Sequence, residues 1–364
     1  MADTATNLYR VGPRKARELI LDCLQSGVTV MMEGPPGSGK SSVIKSIADE
    51  AMLEMVDHRA STSVPEDFTG LPRFNDKGEA FFAPFADIFP LATRQVPENR
   101  NGWMLFLDEF NSAKEDVQAA AYKLILDHAV GQHPLHEKCA VVAAGNRMED
   151  RAIVNEVGTA MQSRMAWIEM EVVFDEWLYD VALKYDYDYR IVAFLSRHKD
   201  KLMNFRPDHT DKTFCCPRTW EFMNRLVKGK QFREIEKEVS GTKQTIYEMD
   251  GKAPLYAGTI TSGVAAEFIR FTRIGNALPS IGDIMADPTG LDIPQDANIM
   301  WMIISSIMSE VTEDNFLSLS EYANRFEMSF KILFYRSVLI RHKNLLHHPS
   351  FVKARIELSK YLNG

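Results

Sequence analysis

The stretch MMEGPPGSGKSS, residues 31–42, is the most informative part of this chain about its fold. It contains the spacing G-x-x-x-x-G-K-[ST], met by Gly34, Gly39, Lys40 and Ser41. In this pattern the glycines let the backbone turn so that its amide N–H groups point at phosphate oxygens. The helix that follows adds its positive N-terminal end. We therefore expect a nucleotide to bind here, and the rest of the chain must indicate what the nucleotide drives.

The predicted cofactors are ATP and Mg²⁺. Lys40 is expected to reach the β- and γ-phosphates, and the Ser41 hydroxyl is expected to ligate the Mg²⁺ ion. The whole loop is predicted to contribute to binding, with these residues: Gly34, Pro35, Pro36, Gly37, Ser38, Gly39, Lys40, Ser41 and Ser42.

A second motif, MLFLDEF at residues 104–110, ends an apolar run with two acidic residues. A buried parallel strand would bring its carboxyl end near the phosphates. Asp108 can then hold Mg²⁺ through water, and Glu109 can act as the general base that polarises the attacking water. A carboxylate dedicated to water favours an ATPase over a small-molecule kinase, which needs a pocket for an acceptor.

A third apolar run, AVVAAGN, ends at Asn146. Asparagine is disfavoured inside strands, so it could simply be a turn residue. Beside the two motifs above, we interpret it as a polar group that orients the attacking water near the γ-phosphate.

Several arginines are candidates for stabilising charge in the transition state. Arg164 lies between a predicted short helix and a strand, and it could be an arginine finger, which we expect to come from a neighbouring subunit. Arg147 and Arg151 are alternatives for that role. Arg218 follows Pro217 at a predicted helix start and could reach the γ-phosphate from a second domain.

The pattern of elements predicts an α/β fold with a parallel sheet between helices. Strand and helix patterns alternate over residues 1–174, whereas residues 175–364 are predicted to form a helical lid and a C-terminal helical region. A turn signal, NDKG, predicts a hairpin inserted at about 64–86. Ser112 and Glu115 have the spacing of a capping box at the start of a helix.

Composition narrows the class of protein further. The chain has 364 residues, which suits two domains, and a net charge of −8, which opposes nucleic acid as the main partner. No apolar run reaches the ~20 residues that span a bilayer. The start lacks a signal-peptide core, and the four cysteines have no zinc or disulfide spacing, so we expect a cytoplasmic protein without membrane partners.

These motifs in this order resemble AAA+ ATPases, and more closely their MoxR-like, dynein-related branch. The stretches that carry the resemblance are GPPGSGKSS, PEDFTGLP, FLDEFNSA, VVAAGN, SRM and PRTWEF. The resemblance implies a homo-hexameric ring with ATP at the subunit interfaces. It also implies that Asn146 is sensor 1, Arg164 the arginine finger and Arg218 the sensor 2 arginine.

The same resemblance implies that the hairpin insert faces the ring pore or a client. It further implies a chaperone-like role on a client protein that often has a von Willebrand factor A domain. The chain departs from the family at Arg147, where proline is frequent, and at Met165, where phenylalanine usually follows the finger. Two alternatives use the same core: a nucleic-acid-directed motor or loader, and a scaffold that binds ATP without turnover.

Overall fold

The structure is a computed structural model that describes residues 9–85, 87–150, 154–239 and 242–362. The chain divides into two compact units. Unit 1 comprises Met1–Val173 and Arg206–Asp208, and unit 2 comprises Phe174–Phe205 and His209–Gly364.

The strands of unit 1 are numbered along the chain. Within the described residues they are β1 (Arg10–Val11), β2 (Val30–Glu33), β3 (Leu53–Arg59), β4 (Leu71–Phe74), β5 (Ala80–Ala83), β6 (Gly102–Asp108), β7 (Ala129–Val130), β8 (His133–Pro134), β9 (Cys139–Gly145) and β10 (Ala166–Met170).

Six of these strands form one parallel sheet, in the order β1-β10-β2-β9-β6-β3. Successive side chains of a strand point to opposite faces, so each buried strand supplies two cores. Met32, Phe106 and Val142 pack on one face, whereas Met31 and Leu105 pack on the other. Burial on both faces explains why the central strands are continuous apolar runs.

Helices cover both faces of this sheet. They are α1 (Pro13–Gln25), α2 (Lys40–Glu50), α3 (Pro65–Thr69), α4 (Glu115–Asp127) and α5 (Thr159–Gln162). The buried residues of α1 and α2 belong to the first core, and those of α4 belong to the second. The parallel sheet between helices, followed by a mainly helical C-terminal region, confirms the predicted α/β fold class.

The insert between β3 and β6 contains a hairpin. Strands β4 and β5 pair antiparallel around the turn at residues 75–79, where the Asn75 side chain accepts hydrogen bonds from the backbone N–H groups of Lys77 and Glu79. Gly70 precedes β4 with a φ of +88°, and a side chain there would also meet the Ala83 carbonyl oxygen. The expected insert ran to residue 86, which lies outside the described residues.

The predicted capping box is wrong. Helix α4 begins at Glu115 after Lys114, and Ser112 instead ends a short 3₁₀ turn, Phe110–Ser112. Glu109 has a left-handed backbone conformation, which turns the chain sharply after β6 and delays the helix. Ser112 and Glu115 thus have the spacing of a capping box, but the turn at Glu109 leaves Ser112 before the start of the helix.

Unit 2 is mainly helical. Its helices are α6 (Phe174–Trp177), α7 (Tyr189–Arg197), α8 (Pro217–Val227), α9 (Ala253–Ile260), α10 (Ser262–Arg273), α11 (Ile281–Ala286), α12 (Ala297–Ser309), α13 (Phe316–Ala323), α14 (Met328–Arg341), α15 (Pro349–Glu357) and α16 (Ser359–Leu362). The rings of Phe194, Trp220 and Phe268 form part of its core, with centroids 5.4 to 5.9 Å apart.

Unit 2 also contains an antiparallel pair that the helical prediction did not include, β11 (Glu234–Val239) and β12 (Thr242–Tyr247). Among the described residues of both units, no helix has the length and apolarity needed to cross a membrane.

Candidate nucleotide site

The phosphate loop connects the end of β2 to the start of α2. Gly37 and Gly39 have φ values of +74° and +99°, in the left-handed region that favours glycine. Gly34 is required for space instead, because a Cβ atom there would lie 2.6 Å from the Met170 carbonyl oxygen. The sequence pattern thus corresponds to a loop whose curvature depends on these glycines.

Lys40 is the first residue of α2, and its side chain is folded into the loop. The Nζ atom donates hydrogen bonds to the carbonyl oxygens of Gly34 at 2.8 Å and Pro35 at 3.1 Å. It also donates to the Asn146 side-chain oxygen at 3.2 Å. The ammonium group therefore lies between the phosphate loop and the carboxyl end of β9, although 106 residues separate Lys40 from Asn146.

The acidic pair lies at the end of β6, beside the loop. The Ser41 hydroxyl donates to Asp108 Oδ2 at 3.4 Å, so the two predicted Mg²⁺ ligands are neighbours. Glu109 has a φ of +54°, an uncommon conformation for a residue with a side chain. Its carboxylate accepts a hydrogen bond from the hydroxyl of Ser61, a residue of the turn that follows β3.

Asn111 connects the ends of the three central strands. Its side-chain oxygen accepts from the Asn146 backbone N–H at 3.2 Å, and its Nδ2 donates to the Asn146 carbonyl oxygen at 2.7 Å. The same Nδ2 donates to Glu33 Oε1 at 3.2 Å. Asn111 is 1% exposed, so these bonds lie away from water.

Glu33, the last residue of β2, has an altered acidity. Burial and the neighbouring Glu169 carboxylate raise its pKa to about 6, against lowering contributions from Asn111, Lys40 and Arg147. Glu169 is the residue of β10 that pairs with Glu33 across the sheet. A carboxyl group that titrates near neutrality therefore lies directly before the phosphate loop.

The residues present fit a nucleotide with Mg²⁺. The Ser38 hydroxyl, inside the loop, is buried and has no hydrogen-bond partner among the described residues, so it can donate to a phosphate oxygen. No group of three or more His, Cys, Asp or Glu side chains in the described part of the chain could hold a metal. Ser41 and Asp108 suit Mg²⁺ because this ion keeps several waters and phosphate oxygens as ligands.

Two of the predicted arginines, Arg147 and Arg164, have other contacts within unit 1. Arg164 precedes β10, at the amino edge of the sheet, where its guanidinium lies 4.7 Å from the centre of the Tyr122 ring. Arg147 forms ion pairs within unit 1, with Asp150 at 2.7 Å and Glu169 at 3.0 Å. Arg218 is an exposed residue of α8 in unit 2. Arg151 lies outside the described residues.

Sequence reasoning missed Glu33, Ser61 and Asn111. Glu33 is the polar residue that closes an apolar run, as Asp108 and Asn146 are, and this shared position could have identified it. Asn111 follows the acidic pair by two residues, but only the register of β6 and β9 brings it to Asn146. Ser61 had no signal, because a serine after a strand is common in turns.

Unit 1 has an α/β fold with a phosphate loop, a lysine inside that loop and a carboxylate pair beside it. These features define a P-loop nucleotide-binding domain. Residues 30–164 match the model of the family described as "ATPase family associated with various cellular activities (AAA)". This match covers less than half of the chain. Residues 30–164 are therefore similar to the AAA ATPase domain that this model describes.

A solved structure from Cytophaga hutchinsonii ATCC 33406, described as a "putative ATPase", matches part of the chain. It is 20% identical, with a TM-score of 0.34, and the alignment covers 49% of this chain and 52% of that one. This chain therefore spans about half the length of that protein. No curated protein matches the chain in sequence.

The raised pKa of Glu33 predicts a pH-dependent gain in stability for Glu33→Gln. A carboxyl group with a raised folded-state pKa binds more protons folded than unfolded, so it opposes folding at pH 7 and less so as the pH falls. Glutamine keeps an oxygen for the Asn111 amide. After discounting for solvent screening, we expect the variant to be more stable by at most about 1 kcal/mol at pH 7.5.

Urea unfolding of both proteins between pH 7.5 and 5 checks this. The gain should shrink as the pH falls toward and below 6. Glu137→Gln changes an exposed loop carboxylate and is the control, with no such trend expected. A Glu33→Gln variant less stable than the wild type by the same amount at every pH would contradict the prediction.

Proposed function

We propose that this protein is a MoxR-like AAA+ ATPase that hydrolyses ATP at the subunit interfaces of a ring, which we expect to be a hexamer. The energy would remodel or activate a partner protein. The observation that carries the proposal is that Arg164 lies at the opposite edge of the sheet from the phosphate loop of its own chain.

The register of the sheet provides that distance. Ala166, at the start of β10, pairs with Val30, whereas the phosphate loop follows the far end of β2. At roughly 3.3 Å per residue, the strand length separates the two edges by about 15 Å. This separation exceeds the reach of an arginine side chain, so we propose that Arg164 serves the site of a neighbouring subunit. Arg147 is less suited, since its guanidinium is engaged by Asp150 and Glu169.

Within one site, the chemistry divides among the residues described above. Lys40 would exchange its bonds to loop carbonyls for bonds to the β- and γ-phosphates of ATP. Ser41 and Asp108 would hold Mg²⁺, which neutralises phosphate charge when bound. Glu109 would accept a proton from the attacking water, and Asn146 would orient that water. Arg218 would contribute a cation from unit 2.

The hairpin β4–β5 is the proposed contact surface for the partner. Phe74, Phe81 and Phe82 are 74%, 44% and 52% exposed, which is unusual for three aromatic side chains in one short hairpin. Its charged residues are Arg73, Asp76, Lys77 and Glu79, which balance to zero. Apolar rings without excess positive charge favour a protein over a nucleic acid, and a von Willebrand factor A domain is the partner class we expect.

A short path joins this hairpin to the catalytic base. Ser61, which donates to the Glu109 carboxylate, is followed by α3 and then by β4. Helix α3 packs against β3 through Phe68, whose ring centre is 5.3 Å from that of His58. Movement of the hairpin by a partner would therefore shift Ser61 and release Glu109.

Mixing two inactive variants tests the shared site. Glu109→Gln lacks the base, and Arg164→Ala lacks the arginine, so each alone should hydrolyse ATP at least about 100-fold more slowly. In mixed rings, an Arg164→Ala subunit keeps its own Glu109. Its site is intact when the neighbour that provides the arginine is a Glu109→Gln subunit. Random assembly makes about one interface in four intact, so phosphate release should recover to a similar fraction of wild type.

The control mixture pairs Glu109→Gln with Lys40→Ala. Both changes lie in the site of the same subunit, so no interface is complete and no recovery is expected. If mixed rings form but the first mixture also stays inactive, Arg164 does not act across the interface.

Replacing Ser61 tests the link to Glu109. Ser61→Ala should raise the rate of ATP hydrolysis without partner several-fold, because the carboxylate loses the hydroxyl that restrains it. Ser63→Ala is the matched control in the same turn, since Ser63 bonds to His58 and the Arg59 carbonyl instead. An unchanged or lower rate for Ser61→Ala would contradict the link. Stimulation of the wild type by DNA or RNA would favour the nucleic-acid motor instead.

A further inference from the structure

The residue Asn111 lies beside the carboxyl ends of β6 and β9. It belongs to the short turn after the acidic pair, not to a strand. Gly145, the last residue of β9, has no side chain, and a Cβ atom there would lie 1.9 Å from Asn111 Oδ1. The amide of Asn111 therefore occupies the volume that any other residue at 145 would need.

The contacts of Asn111 fix a peptide backbone and not only a side chain. Its amide group bonds both the N–H and the C=O of Asn146, so it holds the backbone of that residue from both sides. Two such bonds leave Asn146 little freedom to rotate about its own backbone. Asn111 consequently sets the position from which the Asn146 side chain extends.

The Asn146 side chain extends from this backbone to the phosphate loop. Asn146 Oδ1 accepts a hydrogen bond from Lys40 Nζ at 3.2 Å. The second donor hydrogen of Asn111 Nδ2 reaches Glu33, directly before the loop. The backbone carbonyl oxygen of Asn111 also accepts a hydrogen bond from the backbone N–H of Asn155 at 2.7 Å, and this bond anchors the turn.

We infer that Asn111 is a positioning residue for ATP hydrolysis, which acts by fixing the backbone of Asn146 so that its side-chain oxygen faces the phosphate loop. This inference rests on the proposed function, in which Asn146 orients the attacking water. Asn111 itself touches neither the phosphate loop nor the reacting atoms. Its effect on the rate should therefore pass through Asn146.

A double-mutant cycle distinguishes this role from a merely structural one. The steady-state rates with ATP are compared for the wild type, Asn111→Ala, Asn146→Ala and the double variant. Asn111→Ala should lower kcat on the order of 10-fold with KM within about twofold, because the water is misplaced while the phosphate loop is intact. The double variant should be no slower than Asn146→Ala, because the two residues act as a unit.

Gln118→Ala provides the matched control. Gln118 is another buried amide, 6% exposed, and it donates to the Ala113 carbonyl oxygen at 3.1 Å without touching Asn146. Its replacement should leave kcat within about twofold of the wild type. If Asn111→Ala is poorly folded, Asn111→Leu replaces it in the same cycle, since it keeps a similar volume and loses the amide's hydrogen bonds without adding a charge beside Glu33.

The outcomes separate this inference from the proposed function. The inference alone would be overturned if Asn146→Ala is slow and the double variant is slower still, with the two single reductions in kcat multiplying. A fall in kcat for Gln118→Ala equal to that for Asn111→Ala would also overturn it. Wild-type turnover by Asn146→Ala would instead overturn the role of Asn146 in the proposed function, and the inference with it.

Discussion

The parallel pairing of β2, β9 and β6 is the constraint on which the nucleotide site depends. Glu33 pairs with Gly145 and Leu107 pairs with Ala143, so the three strands end at the same edge of the sheet. Burial on both faces fixes this register, because a slip by one residue would exchange the two cores. The phosphate loop, the acidic pair and Asn146 consequently meet, although the sequence separates them widely.

Much of this site could be predicted because it repeats one simple pattern. An apolar run that ends in a polar residue predicts a buried parallel strand with a functional group at its carboxyl end, as at Asp108 and Asn146. The loop itself is a fixed spacing of glycines with a direct geometric cause. In such cases the local sequence determines both the conformation and the position in the fold.

The remaining features depend on contacts between distant segments, which local patterns do not contain. Asn111 reaches Asn146 only through the register of two strands, and Ser61 reaches Glu109 only because β3 is the neighbour of β6. The left-handed conformation of Glu109 similarly moved the start of α4 away from its predicted cap. The predicted arginines show the same limit, since residue type and spacing do not indicate which site an arginine contacts.

The central claim is that Glu109 is the base of an ATP-hydrolysing site at this edge of the sheet. Phosphate release by Glu109→Gln, measured beside its affinity for ATP, tests that claim most directly. The change preserves size and removes the proton acceptor, so turnover should fall at least about 100-fold while ATP binding persists. Hydrolysis at the wild-type rate by a variant that binds ATP normally would contradict the account.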